Sequence, residues 1–265
     1  MSVKISQLTS GVPAQVTDLV PIARAGVNYS LTAVSIAALG SGPRPNRGNW
    51  HGWSCNGVSN ASGAVCYSDQ VQIAWNGGAT FGEVPATATE PQYYTVVTGP
   101  SGPTGCSGMY NSPQYGGFTV GILASAMQRI MISSAADCRY WVGAIDSSIG
   151  TPIGANDLAF DILSHNFIGF RYSAGAGDTH WMAVTCNGVS QTTVDTGFAP
   201  DTAHGHVFEM QGSSGNVVFL IDGAVVATVS TNVPTVVLRI INDTENLSGA
   251  PVTLSVAYMY WETTV

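Results

Sequence analysis

The chain has 265 residues, enough for one large domain or two modest ones, and carries 8 basic against 16 acidic residues, a formal charge of −8. Only 9% of residues are charged and Lys4 is the single lysine, which excludes the clustered cationic surface of a nucleic-acid reader and excludes Schiff-base chemistry. A hydrophobic share of 45% excludes disorder, and 31 Gly with 13 Pro predict many short strands joined by tight turns.

Residues 1–40 read differently from the remainder. Leu19, Val20, Ile22 and Ala23 form a short apolar run, Ala25-Gly26 supplies a turn, and Val27 to Thr32 alternates, which predicts a small hairpin. Val34 to Leu39 adds one predicted helical turn that Gly40 stops. So short a segment cannot bury a core of its own and is expected to pack on the rest of its chain, a second copy or a larger assembly. The stretch GSGPRPNRG, closing at Gly48, reads as a linker. The expected division is residues 1–40, a linker over 41–48 and a domain over 49–265. The opening MSVKISQLTSGVP lacks the apolar centre of a signal peptide. Despite a mean hydropathy of +0.20, no apolar run approaches the roughly 20 residues that crossing a bilayer takes. Cytosolic synthesis without membrane insertion is expected.

From Asn49 onward no long amphipathic helix is predicted. ASAMQRIMI (Ala124 to Ile132) reads as a strand plus a connection. Ile168, Phe170 and Tyr172 alternate with Gly169 and Arg171, and Trp181, Ala183 and Thr185 with Met182, Val184 and Cys186. His206, Phe208 and Met210 alternate with Val207 and Glu209. Val217 to Ile221 runs into Asp222-Gly223, a strong hairpin signal, and Val225 to Val229 returns. Val236 to Ile241 and Val252 to Tyr260 supply two more runs. The pattern predicts an all-β fold, an antiparallel jelly-roll sandwich of two sheets. Thr98 to Gly117, rich in Gly, Pro and Ser, is a long loop of the kind that carries function or a contact.

The five cysteines, Cys55, Cys66, Cys106, Cys138 and Cys186, are odd in number and form no CxxC pair, which excludes a zinc ribbon or a redox motif. They read as buried or half-buried free thiols. Cys55 and Cys66 flank a Gly/Asn/Ser-rich segment that could set the two thiols opposite one another in a hairpin.

RYWVGAID (Arg139 to Asp146), IGFRYSAGAGDTHWMAVTCNG (Ile168 to Gly188), VDTGFAPDTAHGHVFEM (Val194 to Met210) and VVFLIDGAVVATVSTNVP (Val217 to Pro234) together resemble concanavalin A-like jelly-roll domains. More narrowly they are similar to the versions in structural proteins of tailed bacteriophages. The opening, with Leu8, Asp18, Leu19, Val20, Pro21, Ile22, Tyr29 and Leu31, resembles the N-terminal attachment segments of phage fibres. The resemblance implies an attachment segment over residues 1–40 that docks on other virion proteins, a displayed jelly roll and a homotrimer. The scarcity of charge fits extensive burial between copies.

Glycoside hydrolysis needs two carboxylates roughly 5 to 10 Å apart, and the resemblance implies Glu-x-Asp-x-Glu on one strand for catalytic members of the fold. That motif is absent. Asp157 and Asp161 in NDLAFDIL are the nearest pair and read as a solvated face, while Glu83 and Glu90 read as part of an exposed Pro/Thr-rich loop. His204 and His206 share a strand face and could draw in Asp201, but a zinc site usually takes three or four ligands; packing or a strand-end hydrogen bond is expected there. His180 and His51 read as single histidines without a partner acid. No GxSxG elbow, Walker loop or HExxH occurs. The expectation is therefore no enzymatic activity, no catalytic residues, no cofactor and no metal.

Sugar contact is the stronger candidate. Trp50, His51 and Trp53 in NWHGW, Tyr93 with Tyr94, and Tyr110 with Tyr115 are candidate stacking platforms, although aromatics also fill sandwich cores. The expectation is a virion structural protein assembled in the host cytoplasm: a tail-fibre-like appendage anchored by its N-terminus and contacting a host-surface glycan. The alternatives are a capsid-bound head fibre or decoration protein, and then a polysaccharide-degrading tail enzyme.

Overall fold

The computed structural model describes residues 19–24, 27–32, 50–54, 66–68, 71–76, 80–87, 89–98, 104–110, 117–146 and 165–264, with side chains from Val84 onward except within Thr104–Tyr110. The predicted helical turn over Val34 to Leu39 lies outside these residues, as do Leu8, Asp18, Cys55, Tyr115, Asp157 and Asp161. The chain divides into two units, Met1–Arg47 and Gly48–Val265. In the first, β1 (Leu19–Arg24) pairs antiparallel with β2 (Val27–Thr32), with Ile22 opposite Tyr29 and Val20 opposite Leu31. This is the hairpin expected from the alternation on either side of Ala25-Gly26.

The second unit is two antiparallel sheets. One runs, in spatial order, through β13 (Gln191–Asp195), β12 (Met182–Asn187), β11 (Asn166–Ser173), β10 (Cys138–Ile145), β17 (Arg239–Asn246), β8 (Thr104–Tyr110), β5 (Val71–Asn76) and β4 (Cys66–Ser68). The other runs through β16 (Ala224–Val229), β15 (Asn216–Ile221), β14 (His206–Ser213), β9 (Leu123–Ile132), β18 (Thr253–Thr263), β7 (Tyr93–Val97) and β6 (Thr80–Val84), with β3 (Trp50–Ser54) also paired to β18. Among the described residues the only helical pieces are two 3-10 turns, Val120–Ile122 and Ala174–Ala176.

Alternation builds the layer between the sheets. Tyr140, Val142 and Ala144 of β10, with Ile168, Phe170 and Tyr172 of β11, face Phe208 and Met210 of β14 and Phe219 and Ile221 of β15, all buried. Phe170 meets Phe208 and Phe219 edge-on at 5.0 and 5.3 Å, and Trp181 lies 4.6 Å from Phe208; each such pair adds about 0.5–1.5 kcal/mol beyond the area it buries. One polar bolt crosses this layer. Gln128 donates to the carbonyls of Gly143 (3.2 Å) and Ile241 (2.9 Å) on the facing sheet and accepts from Asn242 (3.1 Å).

Asp222 and Gly223 both take positive φ (51° and 80°), which closes the β15–β16 hairpin with the two-residue turn that Asp-Gly signals. Three expectations are corrected. Ala124 to Ile132 lies wholly in a ten-residue strand rather than in a strand plus a connection. The Thr98 to Gly117 stretch is interrupted by strand β8. The run starting at Val236 becomes a strand only at Arg239 and continues to Asn246, leaving Val236 and Val237 exposed.

Candidate functional site

Strands β10, β11, β12 and β17 carry a second buried face, on the side away from the sandwich core. It has an apolar part, Trp141, Ile145, Phe167, Val184, Cys186 and Ile241, and a charged part that follows from cross-strand register. Arg171, Trp141 and Asp243 stand opposite one another across β11, β10 and β17, and Ser173, Arg139 and Glu245 form the adjacent row. Arg139 donates to Glu245 Oε2 at 2.9 Å and to Ser173 Oγ at 3.3 Å. Arg171 grips Asp178 with two parallel bonds of 3.0 Å, and Asp178 also accepts from the Ser173 amide at 2.9 Å. The Arg171 guanidinium lies 5.9 Å from the centre of the Trp141 ring, within cation–π range.

Asp243 and Glu245 are 0% and 1% exposed. Desolvating such charges costs several kcal/mol each unless they are paired, and here a charged layer stands where apolar cover would avoid that cost. Trp141 adds a buried indole N–H with no hydrogen-bond partner among the described residues. The two carboxylates sit two residues apart on one strand, about 6.6 Å along the chain. Side chains two residues apart on a strand share one face, so the two carboxylates are neighbours on the same side of the sheet. Ile241 occupies the place two residues before Asp243, so the strand offers Ile-x-Asp-x-Glu where a full motif would offer Glu-x-Asp-x-Glu.

The residues singled out from sequence are distributed differently. Tyr94 packs in the core. Tyr93 is fully buried, its hydroxyl donating to Glu90 at 2.5 Å and accepting from Arg129 at 3.1 Å. Neither ring therefore presents a face for stacking, which corrects their reading as a sugar platform. Burial first, then the bond to Glu90, pushes the Tyr93 phenol up to about 12. Glu90 is correspondingly no free loop residue, and Glu83 lies in strand β6. Trp50, His51 and Trp53 fall on β3 opposite Glu262, Trp261 and Met259 of β18, and Tyr110 ends β8 opposite Ile73 of β5; their side chains lie outside the described set.

His165, His180 and His206 have aspartate partners 15 or more residues away in sequence, and His204 meets Asp201, three residues before it. His165, His180, His204 and His206 each place Nδ1 within 3.2 Å of an aspartate oxygen, on Asp146, Asp195, Asp201 and Asp222 respectively. Among the described residues no group of three or more His, Cys, Asp or Glu side chains is placed to hold a metal ion. Cys138 is a buried free thiol, pushed up to about 12 by burial.

No family model and no curated protein matches the chain. Solved structures do. A protein of unknown function from Shewanella oneidensis MR-1 is 9% identical over 89% of this chain and 95% of its own, with a TM-score of 0.53. A Bacillus licheniformis beta-glucanase is 11% identical over 83% and 94%, with a TM-score of 0.45. A carbohydrate recognition domain is 13% identical over 75% and 90%, with a TM-score of 0.48. The fold is a concanavalin A-like jelly roll. The expectation of a chain without enzymatic activity is corrected, because glycosidases stand among the structures it resembles; their activities remain their own.

Proposed function

We propose that this chain is a fibre-like virion appendage protein whose jelly roll engages carbohydrate on a host surface, with its N-terminal segment attaching it to other virion proteins. The observation that supports carbohydrate engagement is the charged layer of Arg139, Trp141, Arg171, Asp243 and Glu245 outside the sandwich core, which is covered as it stands and meets a sugar only when that cover is displaced. It combines oriented acceptors and donors with an aromatic ring, the chemistry that holds sugar hydroxyls. The attachment role rests on the opening segment, whose resemblance to phage attachment segments is independent of the sandwich.

A second reading, cleavage of the carbohydrate, is favoured by the spacing of Asp243 and Glu245 on one strand. Both carboxylates are covered, so cleavage at them requires that cover to be displaced.

The test is twofold. Antibody labelling of purified phage particles is expected to mark an appendage, and unlabelled particles would remove the virion role. The purified full chain is then titrated with host-surface polysaccharide while released reducing ends are followed. Glu245→Gln and Asp243→Asn are expected to lower reducing-end release at least 100-fold if the pair cleaves, and to weaken retention alone if it only binds, with Glu245→Gln also lowering the melting temperature because Arg139 loses its buried partner. Binding and release identical to wild type in both folded variants would discard this face.

A further inference from the structure

We infer that His206 is a proton-operated latch that fastens the Thr196–Gly205 loop to the β15–β16 turn at one end of the sandwich. The imidazole stands between two carboxylates on different elements, with Nδ1 2.6 Å from Asp222 Oδ2 and Nε2 3.4 Å from Asp201 Oδ2. A neutral imidazole has one N–H and can satisfy one of them; the imidazolium has two and satisfies both.

The two sides are not equivalent. Asp222 is fixed by the hairpin: its Oδ1 accepts from the Val207 amide at 2.8 Å, and its own amide donates to the Val207 carbonyl at 2.9 Å. Asp201 rides on the loop, accepting from the Ala203 amide at 2.7 Å and from His204 Nδ1 at 2.9 Å. When the ring gives up a proton, the remaining N–H stays on Nδ1, towards the nearer and fixed Asp222. The Nε2 lone pair is then turned at Asp201, and an attraction becomes a repulsion. Those bonds from Ala203 and His204 hold the Asp201 carboxyl down at about 2, so it remains an anion throughout the range in which histidines exchange their charge.

The surroundings leave the two aspartates in control. Phe198 meets the ring edge-on at 5.0 Å. His204 is largely exposed and shares Asp201. Glu90, which accepts from the Gly205 amide at 3.3 Å, is neutralised by Arg129 at 2.9 Å, with the Tyr93 hydroxyl between them. Tyr258 on β18 stays protonated, its phenol raised by burial. The loop is otherwise held near its ends, where Trp181 donates to the Phe198 carbonyl at 2.8 Å and accepts from Thr196 Oγ1 at 2.5 Å, and where Gly205 meets Glu90. Releasing Asp201 therefore frees the middle of the loop and leaves the sandwich intact.

Amide exchange of residues 196–205, corrected for intrinsic rates, tests this on the full chain at pH 5.5 and 8.0. Wild type is expected to show at least tenfold greater protection at pH 5.5. His206→Asn keeps a donor towards Asp222 and loses the one towards Asp201; Asp201→Asn keeps the Ala203 bond and loses the charge. Both should be flat with pH, while His204→Gln keeps the dependence. Equal protection of wild type at the two pH values overturns the latch, as does a tenfold change surviving in either Asn variant.

Discussion

At the level of single side chains, the polar groups that cross or flank the core decide more than their number suggests. Gln128 supplies two donors and one acceptor to the facing sheet, so Gln128→Leu leaves two buried carbonyls and the Asn242 amide without those partners. The expected loss is about 2–3 kcal/mol, read as a lower urea midpoint at unchanged slope. Arg139 neutralises Glu245 where both are 1% exposed. Arg139→Met strands a buried carboxylate and is expected to cost about 3–5 kcal/mol. Replacing Arg139 and Glu245 together with apolar residues should restore much of it, and a double-mutant cycle in urea checks that.

At the level of strands, the close approach of β10 to β11 depends on Gly143, where an added Cβ would meet the Ile168 carbonyl oxygen at 2.2 Å. Gly143→Ala must push two backbones apart and is expected to destabilise by about 1–3 kcal/mol, measurable as a drop in melting temperature. Strand order also explains what the sequence disclosed and what it hid. The hairpin at Asp222-Gly223 and the alternating runs of β11, β12 and β14 were legible because one face of each is apolar and the turn chemistry is explicit. Strand β17 was not. Asn242, Thr244 and Asn246 face the core side while Asp243 and Glu245 face the other, so both faces are polar and no binary pattern marks it as buried. Ending the run at Ile241 cut the strand just before the carboxylate pair. An Asp-x-Glu spacing inside a strand was the available signal, and it becomes one only once the strand is extended to Asn246. The Asp222 partner of His206 was hidden for a different reason: the two are 16 residues apart and meet only through the β14–β15 pairing.

For the whole molecule, sparse charge makes pH an unusually direct control. Desolvation would raise Glu90, but bonds from Tyr93 and Arg129 outweigh it and hold it below its usual 4.5. Asp201 is held at about 2 against a usual 3.8, first by the Ala203 amide, and Asp195 is lowered first by the Gly197 amide. Carboxyls depressed on folding stabilise the fold above their unfolded values and lose that stabilisation as pH falls through the folded ones. Thermal stability is thus expected to hold from neutrality to about pH 5 and to decline between about pH 4.5 and 2, with Glu90→Gln narrowing the decline. A melting temperature unchanged down to pH 2 would contradict these assignments.

The placement of β17 and β18 also governs how the sandwich can be born. Strand β17 lies between β10 and β8, and β18 lies between β9 and β7. Both sheets are therefore completed from the middle by chain that emerges after Leu238. A nascent polypeptide stopped there would hold each sheet as two separate halves, with β10, β8, β9 and β7 all offering raw edges to any neighbouring chain. Unpaired edges of that kind are templates for association between copies. Synthesis of this protein is thus expected to pass through a sticky interval that ends when the two central strands slide into place.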